Sequence, residues 1–287
     1  MGRRPPTVHG MVLIDKPAGM TSHDVVAQLR KRFKERRIGH AGTLDPDATG
    51  LLVVGVGNAT RLLRFATSSF KTYEVEIVLG IETDTLDSSG QVVAEHKMSV
   101  EAAQVEEVAR ALTGEIEQVP PMVSARRVGG RRLHELAREG KEVEREARSV
   151  TIRKFDVQAT NDPLIWSAVV NCSAGTYIRT LGADLGTALQ GGAHIRNLRR
   201  IQSGVFGIQE SDVILEAPLQ PVLELVRGLD RVALTDQELP VVQNGGRLRH
   251  ERTEGAGPWA LTDSSENLIA VHEKIDDRVV VGVVLPN

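Results

Sequence analysis

The sequence predicts a mixed α/β protein of the α+β class, with a largely antiparallel central sheet flanked by helices. Segments of strand-like and helix-like periodicity alternate along the chain without the regular rhythm of stacked βαβ units. The segment "KTYEVEIVLG" (71–80) alternates strictly, with Tyr73, Val75 and Ile77 on one face and mostly polar residues on the other. Two further strand-like segments flank the turn "NDP" (161–163), which predicts a hairpin of neighbouring strands.

The other elements follow from periodicity and from capping residues. The first strand is predicted at Met11–Ile14 and ends in a Pro-Ala-Gly turn. Thr21 and Asp24 match a capping box, which predicts an amphipathic helix over 21–36, and a loop is expected over 37–50. Further predictions are a strand at "LLVVGVG", a short helix at "ATRLLRFA", a helix from Ser99 to Gly114, a helix within "GTYIRTLGADLGTAL" and a strand within "AHIRNLRRIQSGVFGI".

The chain is predicted to divide into a large domain over 9–230 and a small β-rich domain over 231–287. The boundary lies in a Pro- and Gly-containing acidic stretch, after which three short strands with polar turns are expected. Within the large domain, residues 122–148 hold eight Lys/Arg and five acids with few apolar positions. This pattern predicts a mobile excursion with a short helix over Arg132–Arg138.

Composition excludes several classes of protein. The 287 residues include no apolar run of about 18 residues, so no membrane span is predicted, and the N-terminus lacks the apolar core of a secretory signal. The single Cys172 is consistent with a reducing cytosol, so a cytoplasmic location is expected.

The charge is distributed unevenly along the chain. Residues 211–287 carry seven Lys/Arg against thirteen Asp/Glu, whereas "LRKRFKERR" (29–37) carries six basic residues. The basic run suits a polyanionic ligand, although a solvated helix face would look the same.

The segment "RIGHAGTLDPDATGLLVVGVG" (37–57) places Asp45 and Asp47 between this basic run and an apolar strand. Asp-Pro followed by Asp-Ala-Thr-Gly is good turn chemistry, which is the simplest interpretation. A calcium loop would need a glutamate at its twelfth position, where this chain has Val56. A phosphatase of the haloacid-dehalogenase type would need the motif directly after a buried strand and a downstream acid pair, for which only 275–278 is available.

A nucleophile is a further interpretation of Asp45, and the magnesium-dependent phosphatase is kept as the alternative. A reactive carboxylate must be held rigidly, partly dehydrated and kept ionised by a fixed cation. Pro46 and the neighbouring glycines can make the backbone of Asp45 rigid. Arg179, in the apolar run "GTYIRT", is a candidate cation, although an ordinary surface arginine would look the same.

Several segments together resemble one family. The segments "DKPAGMTSHDVV", "GHAGTLDPDATGLLVV", "KTYEVEIVLG", "TDTLDSSG", "GTYIRTLGADLG" and "GAHIRNLRR" are similar, in this order, to motifs of the TruB family of bacterial tRNA pseudouridine-55 synthases. The resemblance covers roughly 9–210, and the small C-terminal domain is more weakly similar to a PUA-like domain. It implies the pseudouridine-synthase fold and isomerisation of one uridine in the T-arm of tRNA, without cofactor or metal.

The resemblance also implies roles for individual residues. Asp45 matches the catalytic aspartate, which would attack the flipped nucleotide at C1′ of the sugar or at C6 of the base. Arg179 matches the arginine that pairs with it, and Tyr73 matches a tyrosine that packs on the target base and is a candidate for late proton transfer. Residues expected to bind or support the substrate are His40, Lys16, Tyr177 and Leu198.

Binding to tRNA is expected to rest on basic side chains, because flipping a base out of a folded loop costs a few kcal/mol that phosphate contacts can offset. The candidates are Lys31, Arg32, Arg36, Arg37, Arg126, Arg127, Arg131, Arg132, Arg196, Arg199 and Arg200. The resemblance implies that the excursion at 122–148 is a thumb that closes on the T-arm. It departs from the family where Val123 replaces a common tyrosine and Arg127 a common lysine. We expect a monomer, and a non-catalytic RNA chaperone is a second interpretation of the same surface.

Overall fold

The computed structural model describes residues 5–67, 70–122, 127–128, 131–132, 143–248, 252–253 and 255–286. Five α-helices are described within these ranges: α1 (Ser22–Phe33), α2 (Leu63–Thr67), α3 (Ala102–Ala111), α4 (Ile178–Ala188) and α5 (Glu238–Gln243). None of the described helices is long and apolar enough to cross a membrane.

The strands of the described residues carry most of the fold. They are β1 (Gly10–Lys16), β2 (Ile38–His40), β3 (Thr49–Val56), β4 (Lys71–Leu79), β5 (Ile81–Thr83), β6 (Val92–Glu95), β7 (Gly114–Gln118), β8 (Arg127–Val128), β9 (Arg131–Arg132), β10 (Arg148–Ala159), β11 (Ile165–Cys172), β12 (Ala193–Ser203), β13 (Phe206–Gly207), β14 (Asp230–Ala233), β15 (Trp259–Thr262), β16 (Leu268–Ile275) and β17 (Arg278–Val284). The predicted mixed fold, rich in strands, is confirmed.

Contacts group the chain into two compact units. The first contains Met1–Pro46, Gly50–Ser68 and Ser203–Asn287, and the second contains Asp47–Thr49 and Ser69–Gln202. In the first unit, β3 pairs antiparallel with β1 and with β2. Each face of β3 contributes to a different buried cluster, since Leu51 and Val53 belong to one and Leu52, Val54 and Val56 to the other. Burial on both faces explains why "LLVVGVG" is continuously apolar.

The C-terminal part of the first unit is a second sheet, in the order β14–β15–β16–β17. Three of these strands agree with the three predicted, and β14 was not predicted. Ala260, Val271 and Val283 of this sheet belong to the same buried cluster as Met11 and Leu13 of β1. The division of the chain near residue 230 stays a prediction.

The second unit contains a five-stranded part of a sheet in the order β12–β4–β11–β10–β7. The predicted hairpin is β10–β11, and the antiparallel register of β4 with β11 runs from Lys71 opposite Cys172 to Val78 opposite Ile165. The alternation predicted for β4 holds in the middle of the strand, where Tyr73 and Ile77 are buried and Glu74 is exposed, whereas Thr72 and Val78 on the opposite face are buried too.

Helix α4 lies directly against β12, and two glycines make this possible. A Cβ on Gly182 would lie 2.4 Å from Cγ2 of Ile195, and one on Gly186 would lie 2.5 Å from Cβ of Ala193. Atoms this close cannot coexist, so the spacing of glycines in "LGADLG" is set by the contact of the helix with the strand.

The predicted helices have different ends in the structure. Helix α1 stops at Phe33 rather than 36, because Lys34 adopts the left-handed conformation with φ of 52°. Helix α3 begins at Ala102 rather than Ser99, and its capping box is formed by Glu101 and Gln104.

Two further predictions differ in detail. The stretch 37–50, predicted as a loop, contains the short strand β2 and the first two residues of β3. The segment "ATRLLRFA" forms a 3₁₀ turn over Gly57–Arg61 followed by α2, rather than one helix. A three-residue strand is too short for its periodicity to be recognised in sequence.

Candidate active site

Asp45 lies in a loop between β2 and β3. The loop starts with a hydrogen bond from the backbone N–H of Ala41 to the carbonyl of Val53, 2.9 Å long. Asp45 is half-buried, and it lies between Leu44, which is buried, and Pro46, which is exposed. The carboxylate is therefore neither in the core nor fully in solvent, as a partly dehydrated nucleophile requires.

Lys16 anchors the C-terminal side of this loop. It is the last residue of β1 and its side chain is fully buried. Its ammonium donates to the carbonyl oxygens of Pro17 at 2.8 Å, Met20 at 2.6 Å and Pro46 at 3.0 Å. These carbonyls replace water around a buried charge, and the bond to Pro46 fixes the residue next to Asp45.

A second anchor, not predicted from the sequence, holds the N-terminal side of the loop. The hydroxyl of Ser22 accepts a hydrogen bond from the backbone N–H of Leu44 at 2.9 Å and donates to the carbonyl of the same residue at 3.2 Å. The two residues that flank Asp45 are thus each bonded through their backbone to a buried side chain.

His40 is the last residue of β2, where it lies opposite Val54. The side chain is half-buried. Its ring lies edge-on to the ring of His23, with 5.8 Å between the centroids. The short strand therefore places an imidazole at the start of the loop that carries Asp45.

Arg179 lies in the first turn of α4 in the second unit, with 3% of its surface exposed. Its Nη1 donates to the carbonyl of Thr85 at 2.9 Å and lies 3.4 Å from Oδ2 of Asp87. The arginine is therefore buried rather than on the surface, and a carbonyl and a carboxylate hold its guanidinium in one orientation.

Asp87, not singled out in the sequence, is itself fixed by its own turn. Its Oδ1 accepts hydrogen bonds from the hydroxyl of Thr85 at 2.7 Å and from the hydroxyl and backbone N–H of Ser89 at 2.6 and 3.1 Å. The turn is bonded to β12 through Ile195. The segment "TDTLDSSG" therefore forms a rigid anionic support for Arg179.

Tyr73 is buried in β4 and lies opposite Val170 of β11. Tyr177 is half-buried and occupies the N-cap position of α4, where no side chain caps the helix. The buried amide of Gln118 accepts from the N–H of Tyr177 at 2.7 Å and donates to its carbonyl at 3.1 Å. Gln118, not identified from the sequence, thus bonds the start of the helix that carries Arg179.

Comparison with known proteins decides the family. The model of the TruB family pseudouridylate synthase N-terminal domain matches residues 30–178, and that of the tRNA pseudouridylate synthase B C-terminal domain matches residues 179–240. The chain is 43% identical over 277 residues to tRNA pseudouridine synthase B of Mycobacterium tuberculosis, covering 91% of each chain. It is 38% identical over 284 residues to the protein of that name from Bacillus cereus, covering 93% of this chain and 92% of the relative.

The chain belongs to the TruB family. The family predicted from the motifs is confirmed. The fold is similar to that of a chain in the crystal structure of a Cbf5-Nop10-Gar1 complex, with a TM-score of 0.73 and 24% identity over 97% of this chain and 84% of that chain. The haloacid-dehalogenase alternative has no support from these comparisons.

The proposed TruB site residues fall into two sets. Lys16, His40 and Asp45 belong to the first unit, and Tyr73, Tyr177, Arg179 and Leu198 to the second. In the first set, hydrogen bonds from the buried side chains of Lys16 and Ser22 fix the backbone on either side of Asp45. In the second set, Thr85 and Asp87 fix the guanidinium of Arg179. The pairing of Asp45 with Arg179, the two roles taken from the family, stays a prediction.

Leu198 is half-buried in β12, directly after an irregular residue. Asn197 has φ of 55°, the left-handed region, and its side-chain amide donates to the carboxylate of Glu76 at 3.1 Å. A left-handed residue within a strand changes the direction of the side chains that follow it. The orientation of Leu198 therefore depends on Asn197.

The basic side chains predicted to bind RNA have different surroundings. Lys31, Arg36 and Arg37 are exposed at the end of α1 and just after it. Arg32 is half-buried, and its guanidinium donates to the carbonyls of Ile214 at 2.9 Å and Ala217 at 2.7 Å. Arg32 therefore satisfies backbone groups of its own unit.

The basic residues of β12 are also engaged within the protein. Arg196 forms an ion pair with Glu76, and Arg199 donates to the hydroxyl of Thr49 at 3.3 Å. Arg200 is almost completely buried. In the excursion, Arg127, Arg131 and Arg132 are described as the backbone of the hairpin β8–β9, whereas Arg126, Val123 and most of the predicted helix Arg132–Arg138 lie outside the described residues.

Buried ionisable groups lie at the start of β4. Burial, together with the positive charge of Arg200, lowers the pKa of the Lys71 ammonium to about 8. Burial raises the pKa of the Cys172 thiol, opposite Lys71 in the sheet, to about 11. Cys172 is therefore a protonated, structural thiol at neutral pH and not a nucleophile.

Proposed function

We propose that this protein isomerises uridine 55 in the T-arm of tRNA to pseudouridine. The name shared by its relatives, tRNA pseudouridine synthase B, supports tRNA as the substrate. The observation that carries the mechanism is the anchoring of the Asp45 loop, whose backbone is bonded to buried side chains at Leu44 and at Pro46. A loop fixed on both sides of an acid is suited to nucleophilic attack, which needs a reacting group held in one position.

The reaction is an isomerisation whose atoms balance without a second reactant. The bond between N1 of uracil and C1′ of the ribose breaks, the base turns, and a bond between C5 and C1′ forms. The hydrogen on C5 leaves as a proton, and N1 takes up a proton. Since every other atom of the product is already in the uridine, the reaction needs neither a redox cofactor nor an imported group.

Asp45 acts as the nucleophile, at C1′ or at C6, and Arg179 keeps it ionised. A guanidinium lowers the free energy of a nearby carboxylate when water is excluded. Arg179 is suited to this role because it is buried and already oriented by Thr85 and Asp87. When the bound substrate excludes water, loss of Arg179 would leave the Asp45 carboxylate without a cation, and loss of Asp45 would remove the nucleophile, so both are required.

Tyr73 packs on the target base and transfers the late proton from C5. Its place on the buried face of β4 supports contact with a base that has entered the protein. His40 helps to displace the target base and fills its place in the RNA stack. Lys16, Tyr177 and Leu198 support the pocket, and for Lys16 the support is its bond to Pro46.

Binding to the T-arm rests on exposed cations. Lys31, Arg36 and Arg37 are exposed and suited to phosphate contacts. Together with the basic excursion at 122–148 they offset the cost of flipping the base. We place the protein in the cytoplasm as a monomer, in which one chain supplies every residue of the site.

The test is conversion of a tRNA T-arm stem-loop by the wild-type protein in EDTA, followed by mapping of pseudouridine through a mass label. We expect conversion at uridine 55 only. Asp45→Asn should abolish it while RNA binding changes by less than about twofold. The matched control is Asp47→Asn, because Asp47 is an exposed carboxylate two residues away and should keep its activity.

Two results would contradict the proposal. Activity that disappears in EDTA and returns with magnesium would favour metal-dependent chemistry. Binding and folding of tRNA that proceed equally well in the wild-type protein and in Asp45→Asn, without any pseudouridine, would favour an RNA chaperone.

A further inference from the structure

The hydroxyl of Ser22 is bonded to both polar backbone atoms of one residue, Leu44. Its oxygen accepts a hydrogen bond from the N–H at 2.9 Å, and its O–H donates to the carbonyl at 3.2 Å. Ser22 is 1% exposed and Leu44 is 3% exposed, so water cannot replace the hydroxyl if it is removed. The peptide groups on both sides of Leu44, including the one that joins it to Asp45, therefore depend on this hydroxyl for their position.

Helix α1 does not need this hydroxyl for its own start. Thr21 is the N-cap, and its side chain accepts from the backbone N–H of Asp24 at 3.1 Å. The carboxylate of Asp24 in turn accepts from the N–H of Thr21 at 2.9 Å, which completes the capping box. At the first helical position alanine would serve the helix as well as serine. Among the described hydrogen bonds, the hydroxyl of Ser22 is directed to Leu44 alone.

We propose that Ser22 is a positioning residue for Asp45. It acts together with Lys16, which holds the carbonyl of Pro46, so that the acid is fixed from both sides. Ser22 does not touch the reacting atoms; it acts through the backbone of Leu44. The inference rests on the proposed function, because it assigns to Ser22 the orientation of the nucleophile.

The expected effect is on turnover rather than on RNA binding. Without the hydroxyl, the N–H and carbonyl of Leu44 must find other partners, and the backbone at Asp45 shifts. A displacement of about 1 Å at a reacting group can reduce the rate by up to roughly a hundredfold. The exposed cations that would hold the RNA are elsewhere on the chain, so affinity for the RNA should be unchanged.

The experiment compares Ser22→Ala, Ser22→Thr and Thr21→Ala with the wild-type protein. It measures single-turnover conversion of a T-arm stem-loop with enzyme in excess, the Kd for the same RNA, and the melting temperature. We expect Ser22→Ala to convert the RNA at least about tenfold more slowly, with a Kd within about twofold of wild type. Ser22→Thr keeps a hydroxyl and should recover most of the rate.

Thr21→Ala is the matched control, since it removes the helix cap and leaves the hydroxyl of Ser22. It should lower the melting temperature but keep the rate within about twofold of wild type. If Ser22→Ala does not fold, Ser22→Cys keeps the shape of the side chain, slightly enlarged, with a weaker hydrogen-bonding group, and its rate should lie well below that of wild type.

The inference is overturned if Ser22→Ala, or Ser22→Cys in its place, converts the RNA as fast as wild type. It is also overturned if rate and affinity fall together, or if Thr21→Ala slows conversion as much as Ser22→Ala. These outcomes differ from a failure of the proposed function, in which the wild-type protein itself forms no pseudouridine. In that case the role assigned to Ser22 is refuted as well.

Discussion

Nη1 of Arg179 lies 3.4 Å from Oδ2 of Asp87, and the other oxygen of that carboxylate is held by Thr85 and Ser89. A cation whose position is set by a fixed anion cannot easily reorient. Because Arg179 is almost completely buried, Asp87 also compensates a charge that water does not reach. The orientation of the proposed catalytic arginine therefore depends on a loop about ninety residues earlier in the chain.

We predict that Asp87→Asn lowers turnover and leaves RNA binding nearly unchanged. The neutral amide replaces the ion pair with the guanidinium by a weaker polar contact, and a loss of about 1.5–3 kcal/mol in the transition state corresponds to roughly a tenfold to hundredfold loss of rate. The measurement is single-turnover conversion of the T-arm stem-loop. Asp84→Asn is the matched control in the same loop, because the carboxylate of Asp84 bonds the backbone of Gln91 instead. Equal rates for the two variants would refute the role of Asp87.

Gln118→Ala should destabilise the protein. The change removes both hydrogen bonds from the buried side chain of Gln118 to the backbone N–H and carbonyl of Tyr177, which are only partly exposed to water. We expect a loss of about 1–3 kcal/mol in the free energy of unfolding, measured by urea titration. Glu117→Ala, at the exposed neighbour, should change stability by less than about 0.5 kcal/mol. A Gln118→Ala variant as stable as Glu117→Ala would contradict this account.

Gly182→Ala should also be destabilising, although alanine is the better helix former by about 1 kcal/mol. The new Cβ would lie 2.4 Å from Cγ2 of Ile195, so α4 or β12 must move. Overpacking of this kind costs about 1–3 kcal/mol, which a shift of the urea midpoint would show. Thr187→Ala at an exposed position of the same helix serves as the control. A stabilised Gly182→Ala variant would show that the close contact of helix and strand is absent.

The stability of the first unit should fall in mild acid because of His272. This side chain is fully buried in β16, and burial, with a smaller effect of the positive charge of Arg247, lowers the pKa of its imidazole below 6.5. The stabilising contribution of the neutral ring is therefore complete above the unfolded pKa and is lost as the pH falls through the folded pKa. Urea unfolding between pH 7.5 and 5 measures this loss.

A variant without a titrating group at this position isolates the effect of His272. His272→Leu should unfold with a smaller decrease of stability between these two pH values. Identical slopes for this variant and the wild-type protein would show that His272 is not the group responsible. His96→Leu is a suitable control, because His96 is an exposed histidine paired with Glu82.

Cys172 should react slowly with iodoacetamide in the native protein. Burial raises the pKa of its thiol to about 11, so the thiolate is scarce at pH 7.5 and the sulfur is shielded. In urea the same residue should react at the rate of an ordinary cysteine. Mass spectrometry measures the extent of alkylation over time. Rapid alkylation of the native protein would contradict the burial of this residue.

The sequence was informative where a signal is local. The alternation around Tyr73 and the apolar run of β3 predict their strands, because burial on one face or on both leaves a period that neighbouring residues show. The motif around Asp45 identified the family. Lys16 was also identified, although the bond to the carbonyl of Pro46 that gives it a structural role spans thirty residues.

Hydrogen bonds between residues that are far apart in the chain could not be predicted from the sequence. Gln118 bonds a residue 59 positions away, and Ser22 bonds one 22 positions away. In the sequence, Ser22 looks like an ordinary residue at the start of a helix, and Gln118 looks like the end of a strand. Arg200 was predicted to contact RNA phosphates because it is basic, whereas the structure places its side chain in the protein interior. Only tertiary packing distinguishes these cases.

The enclosure of β3 between two apolar clusters has a dynamic consequence. Amide hydrogens in the middle of such a strand exchange with solvent only when the whole unit opens, so they should be among the slowest in the protein. The loop with Asp45 joins this strand a few residues later in the chain. Asp45 is thus joined to the strand that should open least often. Its orientation should therefore be little affected by thermal motion of the exposed loops.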